Sequence, residues 1–489
     1  MIILSSKNTK KLGINYLNIF KTSLSSNKMK ILLINPPQKR IYGKMNSPDY
    51  PPLGLAYIGA VLERENYFVK ILDLGAEEIS VSKLISIIKT YNVVGLTATT
   101  PTFSEAEKIF KLIKENSNAI TILGGIHATI NPDDCLKCNN LDFLVRGEGE
   151  TTILELINAI KSKSSLTKIN GISFRNKKKI VHNPSRELIN NLDELPFPAR
   201  HLFKHKKYTY PDSLLSPVMP IMTSRGCPHN CTYCCTKLIF TRKVRFRSAK
   251  NVVDEIEFLI KNYSVKEVHF WDDNFTLKKQ RVKEIRDELM RRKIRLKFAF
   301  PNGLRVDQVD KEILSWLKEM GVYNLTFGVE SGNQIVLNNV EKGTTLEQIR
   351  KAYFLAKSMG FETWGFFMFG LYGETEKTIR DTINFAKEID PDVAKFHILK
   401  PFPGTKIFEQ LKSENLITNY DFSQYGIHTF PVHKLQSLSE QDLLNWSKKA
   451  YREFYLRPSK IISHIFRITS FERFKVNIKT AISLMKIMN

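Results

Sequence analysis

The 489-residue chain has no uninterrupted apolar run of about 18 residues, which excludes a helix that spans a bilayer. It has six cysteines, too few and too clustered for a disulfide framework at this length. In a large, Lys-rich, unsignalled chain they point to a reducing, cytoplasmic setting and to metal chemistry. Acids are scarce, 49 against 74 Lys and Arg, and the net charge is +25. That surplus suits nucleic acid, an anionic membrane face or anionic substrates, and it equally suits AT-rich codon usage that favours Lys, Ile and Asn. Charge alone therefore selects nothing. Residues 1–28 lack acids, arginine and a clear cleavage site, so they read as an N-terminal extension, and Met29 opens the first domain. No G-x-G-x-x-G follows the first apolar run, which argues against a dinucleotide site.

What is present is ordinary in bulk, with 42% hydrophobic and 25% charged residues, and the length allows two or three domains. From Met29 short apolar runs alternate with helical periodicity. "KILLIN" (30–35), "FVKILDL" (68–74), "VVGLTAT" (93–99), "ITILGG" (120–125) and "LDFLVRGEGE" (141–150) read as strands. Helices fall between them, one over 102–116 with Ser104 as its cap, and "TTILELINAIKS" (151–162) closes the unit. This alternation predicts a doubly wound parallel sheet over 29–165, with ligands outside the carboxyl ends of its strands. Thr97, Thr99, Gly124, Gly125, His127 and the run Arg146–Gly149 fall at those ends. Small residues there either admit a flat ligand or merely turn the chain. Cys135 and Cys138 form an isolated C-x2-C and read as loop thiols, not as half of a zinc site.

A connector over 166–215 holds a predicted β-hairpin and a Pro-broken segment. Six further strand–helix steps follow in 216–412, which predicts a partial (β/α)6 barrel of the TIM type, with polar residues gathered just past each strand. Residues 413–489 read as amphipathic helices. From Lys448 onward the acids are Glu453 and Glu472, so this segment reads either as a basic face for an anionic bilayer or as a helical cap on the barrel.

Four cysteines lie in nine positions of "TSRGCPHNCTYCCTK" (223–237), with Cys227, Cys231 and Cys234 spaced C-x3-C-x2-C and Cys235 adjacent. A four-cysteine zinc site would need Cys234 and Cys235 to reach one ion, which neighbouring side chains rarely do. An iron–sulfur cube held by three cysteines keeps one iron open to a ligand, whereas a four-cysteine cube is closed.

"RGCPHNCTYC" resembles the cluster motif of the radical S-adenosylmethionine (SAM) enzymes, supported by "WDDNFT", "FGVESG", "GFFMFGLYGET" and "LKPFPGT" at successive strand ends. "NPP", "PPLGLAYIGAVL", "GGIHAT" and "VRGEGE" resemble the Rossmann-like cobalamin-binding domain that precedes the core in one subgroup, so the likeness covers roughly 29–412. That subgroup includes radical methylases, an anaerobic oxidative cyclase of chlorophyll synthesis and enzymes modifying hopanoid and archaeal lipids. The resemblance implies a 4Fe–4S cluster on Cys227, Cys231 and Cys234, with SAM at the free iron. It implies Tyr233 along the adenine, Asp272 and Asp273 at the methionyl ammonium, Glu330 at the ribose, and Asn302 and Arg305 as polar contacts to SAM. Thr99, Gly124 and Gly125 would hold cobalamin through backbone contacts. Many such domains carry D-x-H-x-x-G after the first strand; this chain has "NPPQKRIYGK", so no histidine is expected below cobalt and His127 reads as a wall residue.

The implied chemistry is hydrogen abstraction from an unactivated carbon, followed by methyl transfer or by cyclisation, with an electron donor such as flavodoxin or ferredoxin. "YREFYLRP" resembles a segment of the cyclase and hopanoid-associated relatives, which favours an apolar substrate such as a lipid, polyprenoid or tetrapyrrole, and peripheral contact with the inner membrane face. An RNA-modifying methylthiotransferase is the rival class. It is disfavoured because the first domain lacks a third cysteine and no β-rich module follows the barrel.

Overall fold

The computed structural model describes residues 29–38, 41, 50–177, 179–208, 210 and 213–466. The expected extension at 1–28 and the end of the basic segment, 467–489, lie outside the described residues.

The first unit is a seven-stranded sheet of β1 (Lys30–Asn35), β2 (Phe68–Asp73), β3 (Val93–Thr97), β4 (Ile120–Gly124), β5 (Phe143–Val145), β6 (Ile172–Asn176) and β7 (Lys179–His182). The order β2-β1-β3-β4-β5-β6-β7 is parallel through β5, and β6 and β7 add antiparallel. The inner strands β1, β3 and β4 are apolar on both faces because helices cover both, as in a doubly wound sheet, while the edge strand β2 exposes Phe68 and Lys70. The predicted hairpin thus forms, and it is annexed to the first sheet by pairing β6 with β5.

Two sequence expectations differ here. Ser104 lies inside the helix Phe103–Asn116, and the chain enters that helix through a capping box between Thr99 and Thr102. Cys135 ends the short helix Pro132–Cys135, and Cys138 lies in the loop that follows. Both are buried in the core beside Leu136 and Leu141, and burial pushes both thiols up.

The second unit is an open barrel of six parallel strands. They are β8 (Val218–Ile221), β11 (Glu267–Phe270), β12 (Lys297–Ala299), β13 (Asn324–Glu330), β14 (Glu362–Phe369) and β15 (Val393–Ile398), with β9 (Ser224–Arg225) and β10 (Arg245–Phe246) as a small antiparallel pair at the mouth. β8, β11 and β12 form one half and β13, β14 and β15 the other, joined by bridges Phe298–Val322 and Leu304–Phe327. Helices wrap the outside; the helix Ala249–Tyr263 is capped by Ser248, whose Oγ accepts from Asn251 N–H at 3.1 Å.

β15 is an edge strand, and its open backbone groups need partners. The helix Glu440–Tyr455 supplies them with hydroxyls. Tyr455 accepts from Ala394 N–H (3.0 Å) and donates to Ala394 O (2.9 Å), Tyr451 accepts from Phe396 N–H (3.1 Å), and Ser447 donates to Phe396 O (3.3 Å). "YREFYLRP" is therefore the cover of the last barrel strand. The apolar face of this helix, with Leu443, Ala450 and Phe454, is buried on the barrel and is not free for a bilayer. Among the described residues no helix is long and apolar enough to cross a membrane.

Candidate active site

The cluster loop follows β9 at the carboxyl end of β8. Cys231 is buried and Cys227, Cys234 and Cys235 are half-buried. Burial raises the Cys227 and Cys234 thiols, and each of the two also feels Cys231. The Cys235 thiol is pushed up to about 12 by burial, with Cys234 adding to the rise. Cys235 stands at the start of the helix Thr236–Phe240, where its side chain makes no capping bond. Among the described residues no group of three or more His, Cys, Asp or Glu is close enough to hold a single metal ion. Three cysteines spread around a loop suit separate irons of a cube, whose ligands stand farther apart than those of one ion.

The two aspartates at the end of β11 do different work. Asp272 accepts from Thr223 N–H at 2.6 Å, from Thr223 Oγ1 at 2.5 Å and from Ser224 Oγ at 2.7 Å. These three bonds tie Asp272 to the chain where β8 ends and β9 begins. Asp273 takes Gly226 N–H at 3.1 Å and Thr236 Oγ1 at 3.2 Å, and burial raises its carboxyl. It is the carboxylate that the cluster cysteines feel. Next to it, Asn274 is buried with both amide atoms unpartnered, as are Thr232 Oγ1 in the cluster loop and Gln308 Oε1 beside His229. Buried polar atoms without partners are uncommon, and their concentration around this loop fits a polar cofactor.

Glu330, at the end of β13, has φ of +65°, in the left-handed region that non-glycine residues seldom occupy. A bulge between Gly328 and Glu330 turns the strand there, and Lys342 Nζ holds Glu330 Oε1 at 2.8 Å while reaching Tyr233 OH at 3.3 Å. Strain of this kind persists where the surroundings over-determine it, as at ligand sites. Tyr233 is packed against this pair; burial raises its phenol, with Glu330, Cys231 and Cys234 adding to the rise. Arg305 forms a bidentate pair with Asp307 and donates to Lys342 O at 3.0 Å. Burial opposes its charge, but Asp307 and then Cys231 and Cys227 hold it up, which puts this guanidinium beside the cluster cysteines. Asn302 is exposed on the turn after β12. Lys342 escaped the sequence reading because a lysine twelve residues after a strand end carries no pattern.

At the first sheet's mouth the predicted residues divide in the same way. A Cβ on Gly125, which has φ of +94°, would lie 2.5 Å from Thr97 Oγ1 and 2.9 Å from Ala98 O, so chain packing alone demands glycine. Thr99 is spent on its cap. Gly124 meets nothing closer than Val145 O at 3.8 Å, and Gly147 meets nothing within 4 Å, so both leave the backbone open to a flat ligand. These openings fit cobalamin. His127 is a wall residue: it is buried, its Nδ1 lies 3.3 Å from Thr100 Oγ1, and its ring packs on Phe103 and Phe422.

The acids of "VRGEGE" reach the other unit. Arg225, two residues before Cys227, pairs with Glu148 at 2.8 Å and Glu150 at 2.5 Å, and Arg245 pairs with Glu148 at 2.7 Å, all buried. Burial opposes the Glu148 charge, but Arg225 and Arg245 pull its carboxyl below the usual range. Phe422 seats the post-barrel segment on His127, and Lys400 Nζ, at the end of β15, binds Phe430 O (2.6 Å), Thr429 Oγ1 (2.9 Å) and Thr429 O (3.3 Å) of the same segment.

Residues 221–386 match the radical SAM superfamily and residues 41–157 the B12 binding domain. The chain is 36% identical over 442 residues to an uncharacterized methyltransferase of Pyrococcus horikoshii, covering 90% of this chain and 95% of that one. It is 30% identical over 441 residues to the anaerobic magnesium-protoporphyrin IX monomethyl ester cyclase of Rubrivivax gelatinosus, covering 88% and 78%. In fold it resembles the radical SAM methyltransferase TsrM of Kitasatospora setae, solved with cobalamin and a [4Fe–4S] cluster, at a TM-score of 0.67 and 21% identity over 79% and 78% of the two chains. The paired domains and the full-length likeness agree with the three-cysteine loop, and the chain belongs to the cobalamin-dependent radical SAM enzymes, whose cofactors are a 4Fe–4S cluster, S-adenosylmethionine and cobalamin.

Proposed function

We propose that this enzyme alters an unactivated carbon of an apolar small molecule, methylation being the favoured outcome. The observation that carries the reading is the buried Arg225–Glu148–Arg245 network, which ties the cobalamin-side strand end to the residue two positions before Cys227. The same two regions meet again at Gly404, which lies between Leu238 of the cluster-loop helix and Ile130 of the first unit. A substrate held between them would face both cofactors at once.

In this reading Cys227, Cys231 and Cys234 would hold the cluster, and Asp273 would accept from the SAM ammonium. Glu330, oriented by Lys342, would accept from the ribose hydroxyls, with Tyr233 along the adenine. When bound, the cofactors supply a 5′-deoxyadenosyl radical for hydrogen abstraction and a methyl group for transfer. The chain's own part is to position these groups and keep water out. A small one-electron donor such as flavodoxin or ferredoxin would serve the cluster.

Cyclisation is the second reading, favoured by the likeness to the Rubrivivax cyclase. Anaerobic reconstitution with SAM, reductant and cobalamin, read by mass spectrometry, separates the two. Deoxyadenosine together with S-adenosylhomocysteine supports methyl transfer, deoxyadenosine alone favours cyclisation, and absence of deoxyadenosine overturns both.

A further inference from the structure

Between the helix Lys406–Ser413 and the helix Glu440–Tyr455 the chain makes a closed loop. Its ends are pinned together. Ile417 bridges His433 in antiparallel fashion, Thr418 N–H donates to Val432 O at 3.0 Å, and Lys434 N–H donates to Leu416 O at 2.9 Å. Residues 419–431 are therefore an Ω-loop, and they carry a small core of their own. Tyr425 is 1% exposed, its ring lies 5.2 Å from that of Phe422, and its hydroxyl donates to Asn419 O at 2.8 Å. Thr429 Oγ1 donates to Gly426 O at 2.8 Å. A loop with pinned ends and internal packing can swing as one body.

This loop lies across both mouths. On the first unit, Ile427 N–H donates to Ile41 O at 2.6 Å, beyond the end of β1, and the Phe422 ring lies 5.8 Å from His127, beyond the end of β4. β1 and β4 flank β3 in the sheet, so the two contacts bracket the middle of its mouth. The open backbone at Gly124 and Gly147 stands at the ends of β4 and β5, on the same rim. On the barrel, His433 of the stem places Nε2 2.9 Å from Gly370 O, just past β14. Lys400, just past β15, reaches the far side of the loop.

Lys400 Nζ donates to Phe430 O at 2.6 Å, Thr429 Oγ1 at 2.9 Å and Thr429 O at 3.3 Å, and these three acceptors are uncharged. Burial opposes the ammonium and pulls it down to about 7. That desolvation offsets much of what the hydrogen bonds contribute. Tyr420, Ile427 and Phe430 remain exposed on the loop, so seating it hides little apolar area. A segment held by such balanced forces belongs to the low-stability end from which lids are drawn.

We propose that residues 419–431 are a lid over the cleft between the first sheet and the barrel, that Lys400 is its clasp, and that its opening admits and releases the corrinoid. A bulky ligand cannot pass the rim of the first sheet while Phe422 and Ile427 are seated on it.

The test uses the full chain with its cluster reconstituted and hydroxocobalamin as the probe. Amide hydrogen exchange, read by mass spectrometry, follows residues 419–431 with the helix Glu440–Tyr455 as reference. Visible absorbance follows the release of bound hydroxocobalamin on dilution. Lys400→Met should raise exchange in the lid about tenfold, leave the helix unchanged and speed release about tenfold, the scale of one charge-assisted hydrogen bond. Cluster absorbance reports folding of each variant. If Lys400→Met fails to fold, Phe422→Leu decides, because it loosens the seat on His127 and should move both readouts in the same direction. Lid exchange that stays unchanged in the folded variants, or that rises equally in the helix Glu440–Tyr455, overturns the lid. Faster lid exchange with unchanged hydroxocobalamin release overturns its role as the corrinoid gate.

Discussion

The two mouths of this protein look alike in sequence and behave differently in structure. At the first sheet the striking residues are spent on the chain itself: Gly125 lets a loop cross Ala98, Thr99 caps a turn, and Glu148 and Glu150 grip Arg225. At the barrel the groups are left unfinished. Glu330 is strained, both amide atoms of Asn274 are buried without a partner, and three cysteines share the loop with Asp273 and Arg305. A large cofactor can be held by shape and open backbone, as at Gly124 and Gly147. A small reactive one must be held by side chains whose valences the fold leaves open.

Four experiments would break or sharpen that contrast. The largest effect is expected from Cys231→Ala, which should remove the cluster's visible absorbance and reduce deoxyadenosine to background, while Cys235→Ala retains both. A Cys235→Ala protein without a cluster would overturn the three-ligand assignment. Arg225→Met should come next, because it strands Glu150 as a buried charge and leaves Glu148 to Arg245 alone. A loss of about 3–5 kcal/mol in denaturant unfolding, with weaker corrinoid retention, is expected.

Glu374 offers a test by pH at the barrel mouth. Its carboxyl, pushed up to about 8 by burial, accepts from Gly370 N–H at 2.7 Å and Leu371 N–H at 3.0 Å. The folded form therefore holds a proton that the unfolded chain releases near its ordinary 4.5. Stability from this group is fully present below that pH and is lost as pH rises through about 8. Glu374→Gln keeps the acceptor and removes the ionisation, so its Tm relative to wild type should climb from about pH 5 to about pH 9. A flat difference across that range would contradict the buried acid. The smallest effect is expected from Thr99→Ala, at about 1 kcal/mol for a lost cap with corrinoid retention unchanged. Loss of corrinoid there would restore Thr99 to the cofactor.

Much of the fold was legible because helix and strand periods are local. "KILLIN" forms a strand from Lys30 to Asn35 as expected, and the six barrel strands appear where apolar runs end in polar residues. The places that misled are those where one short string serves a distant partner. Asp272 and Asp273 are adjacent and chemically identical, yet one is bound to Thr223 and Ser224 and the other to Gly226 and Thr236 beside the cysteines. The basic C-terminal segment read either as a bilayer face or as a cap on the barrel, and in Glu440–Tyr455 the Tyr451 and Tyr455 hydroxyls finish the edge of β15.

The sequence by itself singled out the three-cysteine loop, since a spacing of three cysteines within eight positions is a local constraint on what a loop can coordinate. It also determined the order of strands and helices, and with it the two sheets. Only the tertiary structure decided which partners each acid meets, how Lys342 orients Glu330, and how Arg225 locks the two cofactor domains together. Those outcomes depend on desolvation and on partners tens of residues away, and neither leaves a periodic trace in the chain.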